Sequence, residues 1–78
     1  MTVLEIAVQV DARGLSCPMP IVKTAQAVRP LAAGALVEVL ATDPGSQRDF
    51  VAWCRATGHE LVEQTTEGNV HRFVIRRK

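Results

Sequence analysis

Apolar and polar positions alternate along the first stretch of the chain. Leu4, Ile6, Val8 and Val10 fall on one face of an extended segment, and Val3, Glu5, Ala7 and Gln9 on the other. A period of two predicts a half-buried strand over Thr2 to Val10 with a single core face. Asp11 to Ser16 is polar, contains Gly14 and reads as a connection. The period then changes. From Pro18 onward, Ile21, Val22, Ala25 and Val28 recur as one helical stripe, with Lys23, Thr24, Gln26 and Arg29 mainly on the other side. Pro30 cannot donate to the Gln26 carbonyl, so this helix either ends near Arg29 or kinks and adds a turn to about Ala32. Gly34 closes the segment.

Ala35 to Ala41 is almost continuously apolar, as a strand covered or paired on several sides is. In the following Thr42-Asp43-Pro44-Gly45-Ser46, two helix caps compete: Asp43 before Pro44, or Ser46 with Asp49 three residues later. Either starts a second helix over roughly Gln47 to Thr57, with Phe50, Val51 and Cys54 inward and Gly58 as its stop. His59 to Thr65 reads as a third strand, Glu67-Gly68-Asn69 as a hairpin turn and Val70 to Arg77 as a fourth strand. The first strand–helix–strand unit pairs its strands in parallel through a right-handed crossover. A chain of 78 residues cannot cover two sheet faces. The expected fold is therefore α/β: a two-layer βαβαββ sandwich with a four-stranded mixed sheet and two helices on one face, a single domain over 1–78.

Composition narrows the function. The apolar fraction of 47% suits a folded domain, but so small a core argues against a deep enclosed pocket. Net charge is +1, and the basic residues form no run apart from Arg76-Arg77-Lys78. With one Trp, two Phe and no Tyr there is neither a basic stripe nor a stacking platform, so direct nucleic-acid binding is not expected. No apolar stretch reaches the length of a membrane span, and Glu5 interrupts the N-terminal apolar run, so a cytoplasmic protein without membrane contact is expected. Two cysteines make neither a disulfide framework nor, with the histidines, a zinc site. No metal or cofactor is expected.

The chemistry concentrates in Gly14-Leu15-Ser16-Cys17-Pro18-Met19-Pro20. With Pro18 at the first helical position, Cys17 is the N-cap, and Pro20 still lies in the first turn where no donor is needed. The prolines leave the Met19 N–H as the nearest donor to the sulfur. The helix dipole favours thiolate, and Arg13 and Lys23 add to this if they point at the sulfur. Cys17 is thus the candidate nucleophile, supported by Gly14, Pro18, Met19 and Pro20. Arg13, Lys23 and Trp53 are candidate partner contacts. Cys54, one turn after Phe50, reads as core; His59 packs at the helix end, and His71 and the terminal basic residues are solvated.

This sequence resembles the TusA/SirA family of small sulfur-carrier proteins. The resemblance rests on Asp11-x-x-Gly14-x-x-Cys17-Pro18-x-Pro20 and Gly34. It continues through Thr42-Asp43-Pro44, Arg48-Asp49, Trp53-Cys54 and Gly58-His59-Glu60-Leu61. It implies sheet order 1-2-4-3 and a Cys17 that accepts sulfane sulfur as a persulfide and hands it on. The implied partners are a cysteine desulfurase or rhodanese-like donor and a downstream acceptor protein with a reactive cysteine. The pathway served is tRNA thiolation, molybdenum-cofactor maturation or sulfur oxidation. The resemblance implies a relay intermediate rather than a stand-alone enzyme. A redox thiol protein using Cys17 and Cys54, or a small nucleic-acid or regulatory binding module, are the alternatives. The absence of a C-x-x-C pair argues against the first of these.

Overall fold

The computed structural model describes residues 5–78. The chain runs β1 (Ile6–Ala12), α1 (Met19–Val28), β2 (Leu36–Ala41), α2 (Ser46–Thr57), β3 (Glu60–Glu67) and β4 (Val70–Arg76). The beginning of the predicted first strand, including Leu4, lies outside the described residues. The sheet order is β1-β2-β4-β3, with β1 parallel to β2 and the other pairs antiparallel. Helix α1 packs on β1 and β2, α2 on β3 and β4, and the helices touch each other. This is the expected two-layer α/β sandwich.

The boundaries moved where pairing overrode local pattern. Strand β1 continues through Asp11 and Ala12, which the sequence assigns to the connection, because Ala12 pairs with Ala41 and is fully buried. Helix α1 starts at Met19 instead of Pro18 and ends at Val28, ahead of Pro30 and without a kink. Its buried stripe is Pro20, Thr24 and Val28, while Val22 faces solvent. The polar Thr24 can face the core because its hydroxyl donates to the Pro20 carbonyl at 2.8 Å. Neither predicted cap holds α2. Gly45 is its N-cap, the Asp43 carboxylate accepts from the Gly45 N–H at 3.0 Å, and the buried Ser46 Oγ has no hydrogen-bond partner. Strand β3 runs two residues beyond Thr65, leaving Gly68-Asn69 as the turn.

The inner sheet face carries Val10, Ala12, Val37, Val39, Ala41, Phe73 and Ile75, closed over by Val28, Phe50 and Cys54 from the helices. Phe50 stacks on Phe73 with ring centroids 4.6 Å apart. On the other face Val74 is also fully buried, although no helix lies there. Its cross-strand neighbours are Glu38 and Glu63, and both carboxylates accept from Arg72. The aliphatic stem of such an arginine covers apolar surface while its head is neutralised. Arg76 pairs with Glu60 at 2.9 Å, so Arg72 and Arg76 are tied into the sheet instead of simply solvated. His71 is half-buried, with its Nδ1 3.0 Å from Thr66 Oγ1.

Gly58 ends α2 in the left-handed conformation at φ +85°, its N–H donating to the Cys54 carbonyl. Beyond it His59 packs on Trp53, with ring centroids 5.2 Å apart, and its Nδ1 accepts from the Lys78 N–H at 3.0 Å. Burial, and then the charges of Arg77 and Lys78, lower the His59 pKa below 6.5. The unfolded chain then takes up this proton first as pH falls. The contribution is complete above the unfolded value and is lost as pH drops through the window between 6.5 and the lower folded value.

Phe50→Ala removes the fully buried ring at the centre of the core and is expected to cost about 3–5 kcal/mol in urea unfolding. A loss comparable to that of an exposed-site variant would contradict this role. His59→Gln is expected to flatten the decline of the urea midpoint between about pH 7 and about pH 5. Parallel declines in the two proteins would show that His59 does not contribute it.

Candidate functional site

Because β1 and β2 run parallel, their C-terminal ends lie side by side, and each leads through a short loop into a helix. Reactive and ligand-binding groups of α/β folds gather at such an edge. The two loops are tied together: the Gly14 N–H donates to Thr42 Oγ1 at 2.9 Å. Gly14 makes this approach at φ +80°, where a side chain would be strained. Half-buried Leu15 packs against the core and anchors the same loop from beneath.

Cys17 sits at the end of this loop as an exposed, unpaired thiol. The Cys17–Pro18 peptide bond is cis. Pro18 is the N-cap of α1 and Pro20 its second residue, so Cys17 lies one position before the cap and does not hold the cap position assigned to it from sequence. The Met19 N–H is not available to the sulfur, since it donates to the Ser16 carbonyl at 2.9 Å. Prolines at 18 and 20 contribute no N–H. The expected local donor is therefore absent.

The expected cations also point elsewhere. Arg13 forms a fork with Asp11, Nε to Oδ1 at 2.9 Å and Nη2 to Oδ2 at 3.0 Å. These hydrogen bonds hold the Asp11 carboxyl at about 2, against an ordinary 3.8. Lys23 Nζ donates to the Asp11 carbonyl at 3.2 Å. Neither side chain serves the thiol. Trp53 is half-exposed but sits beyond Asp49 toward the C-terminal end of α2, packed edge-on against Phe50. The large apolar side chains of α1 that reach solvent are Met19 and Val22, 45% and 37% exposed.

What faces the sulfur is acidic. Asp49, in the first turn of α2, and Asp43, in the loop before it, are the charged groups that act on the Cys17 thiol. The two carboxylates converge on Gly45: a Cβ there would lie 3.1 Å from Asp43 Oδ2 and 3.6 Å from Asp49 Oδ2. The Asp49 side chain, then desolvation, then the charges of Asp49 and Asp43 raise the Cys17 pKa above its ordinary value. The acidic neighbours thus act against the expected stabilisation of a thiolate by the helix dipole. Asp43 and Asp49 were read from sequence as helix caps first and as part of the family pattern. Their position directly after β2, the strand parallel to β1, was the signal that places them at this edge. Cys54 is 5% exposed, and burial pushes its thiol up to about 11. This is the core residue expected.

Comparisons with known proteins identify the family and support the fold. The profile of the family described as Sulfurtransferase TusA matches residues 8–77. The chain is 41% identical to the sulfur carrier protein TusA of Allochromatium vinosum over 69 residues, covering 88% of this chain and 91% of that one. It is 49% identical over 67 residues to YrkI of Bacillus subtilis, described as a candidate sulfur carrier, covering 86% of this chain and 89% of that one. The crystal structure of a SirA-like protein from Desulfitobacterium hafniense superimposes with a TM-score of 0.78. It is 25% identical and covers 88% of this chain and 95% of the other. On the span of these matches, the chain belongs to the TusA family.

Proposed function

We propose that this protein is a sulfur carrier that accepts sulfane sulfur as a persulfide on Cys17 and relays it to the cysteine of another protein. The observation that carries this reading is the contrast between the two thiols. Cys17 is exposed at a loop end where a second protein can reach it, and Cys54 is buried in the core. Membership of a sulfurtransferase family and the carrier names of the relatives support the same reading. The donor is a cysteine desulfurase or rhodanese-like protein, and the acceptor feeds tRNA thiolation, cofactor maturation or sulfur oxidation. The cytoplasm is the proposed compartment; among the described residues no helix is long and apolar enough to cross a membrane.

The chemistry is thiol–disulfide exchange with a persulfide as electrophile. The Cys17 sulfur attacks the terminal sulfur of the donor persulfide, and the donor cysteine leaves. The shallow, exposed setting lets the next protein's cysteine repeat the attack on the loaded carrier. Exposed Met19, two residues after the thiol, adds apolar surface that suits transient docking. A redox role through a Cys17–Cys54 disulfide finds no support, because the second thiol is buried in the core.

Intact-mass analysis after incubation with a cysteine desulfurase and cysteine tests the assignment. A reducible one-sulfur adduct is expected on the wild type and on Cys54→Ser, and none on Cys17→Ser. An adduct that survives in Cys17→Ser would overturn it.

A further inference from the structure

We propose that the helix-free face of the sheet carries a docking groove for a lysine side chain of a partner protein, close to the edge that presents Cys17. The proposal goes beyond the sulfur-bearing thiol and rests on that reading only in taking the partner to be a protein that exchanges sulfur with it. The groove has a volume of about 320 Å³ and is lined by Leu40, Thr65, Glu67, Val70 and Arg72. The strand register explains why these five meet. Leu40 of β2 and Thr65 of β3 both pair with Arg72 of β4, and Glu67 of β3 pairs with Val70 of β4. Residues two apart on a strand share a face, so both rows open on the same side, away from Phe73 and the helices. Leu40 comes two positions before Thr42, whose hydroxyl holds the Cys17-bearing loop through Gly14. The groove therefore lies at the same end of the sheet as the thiol.

Charge decides the occupant. Arg72 is the one cation in the lining, and its charge is already matched, since Nε donates to Glu38 and Nη1 to Glu63. Glu67 is exposed and, among the described residues, forms no ion pair. Glu38, Glu63 and Glu67 against Arg72 leave an excess of two negative charges at the groove. A phosphate is repelled there and an ammonium is attracted. The apolar part of the lining is half-buried Leu40 and Val70, on neighbouring strands. A lysine answers both features, with a four-carbon stem to cover these side chains and an ammonium to reach Glu67. The Thr65 hydroxyl offers a second acceptor. Arg72 Nη2, which neither carboxylate uses, remains to donate to a backbone carbonyl of the same segment. An exposed ion pair of this kind is weak, which suits a carrier that must leave each partner after one transfer.

The test titrates the ¹⁵N-labelled full chain with the peptide acetyl-Ala-Lys-Ala-amide and follows the backbone amides by NMR. Saturable shifts are expected at Leu40, Thr65, Glu67 and Val70 and not along α1. Glu67→Gln should weaken binding about two- to fivefold, the range of one exposed ion pair, and added salt should act in the same direction. The norleucine peptide, which keeps the stem and lacks the charge, should bind more weakly than the lysine peptide and indifferently to Glu67→Gln. The peptide with Glu in place of Lys should not bind. Absence of saturable shifts, shifts centred on other residues, or equal affinity of wild type and Glu67→Gln for the lysine peptide would overturn the proposal. So would equal binding of the lysine and norleucine peptides to the wild type, which decides the matter even if the variant fails to fold. Saturable shifts at the same amides with a short single-stranded RNA would assign the face to nucleic acid and overturn it too. No sulfur donor is present, so failure here leaves the carrier reading intact. A protein that binds the lysine peptide but takes up no sulfur would sink that reading and leave the groove standing.

Discussion

The site depends on one pairing, that of β1 with β2 in parallel. Its register sets Ala12 against Ala41, so the residues that follow each strand emerge side by side. Gly14 then meets Thr42, Leu15 anchors the first loop on the core, and Cys17 arrives beside the first turn of α2. An antiparallel pairing would send the two loops to opposite ends of the sheet and leave the cysteine without its acidic neighbours. The core residues of β1 and β2 thus position the chemistry although none of them touches it.

At that edge two electrostatic effects oppose each other, and magnitude decides between them. A helix N-terminus presents roughly half an elementary charge, carried by its unbonded N–H groups. Here prolines at 18 and 20 and the bonded Met19 remove the donors nearest the sulfur. Against this stand the side chains of Asp49 and Asp43, which push the Cys17 pKa upward. The acidic side chains prevail, and the shift is upward. The prolines still have a function, since they fix the direction in which the chain leaves the loop and leave Cys17 projecting into solvent.

Most of the fold was legible in the sequence because strict alternation in β1 and the near-continuous apolar run of β2 each admit one interpretation. The connection order then left little freedom for the topology. The misplaced details share a cause: local pattern does not see tertiary partners. Ala12 looked like loop until Ala41 lay beside it. Thr24 looked exterior until its hydroxyl bonded the helix's own backbone. At the site, Cys17 was legible from its prolines, but Arg13 and Lys23 were misread because Asp11, close in sequence, captures both. The influence of Asp49 on Cys17 was missed because the two lie 32 residues apart in sequence.

A relay must hold sulfur and also release it. The most direct test isolates the carrier after loading with radiolabelled sulfane sulfur and mixes it with one equivalent of a reduced, cysteine-containing acceptor protein. The account predicts that label moves to the acceptor while Cys17 regains a titratable thiol in equal amount. Label that stays on the carrier, or that leaves only as sulfide without reaching the acceptor, would contradict it.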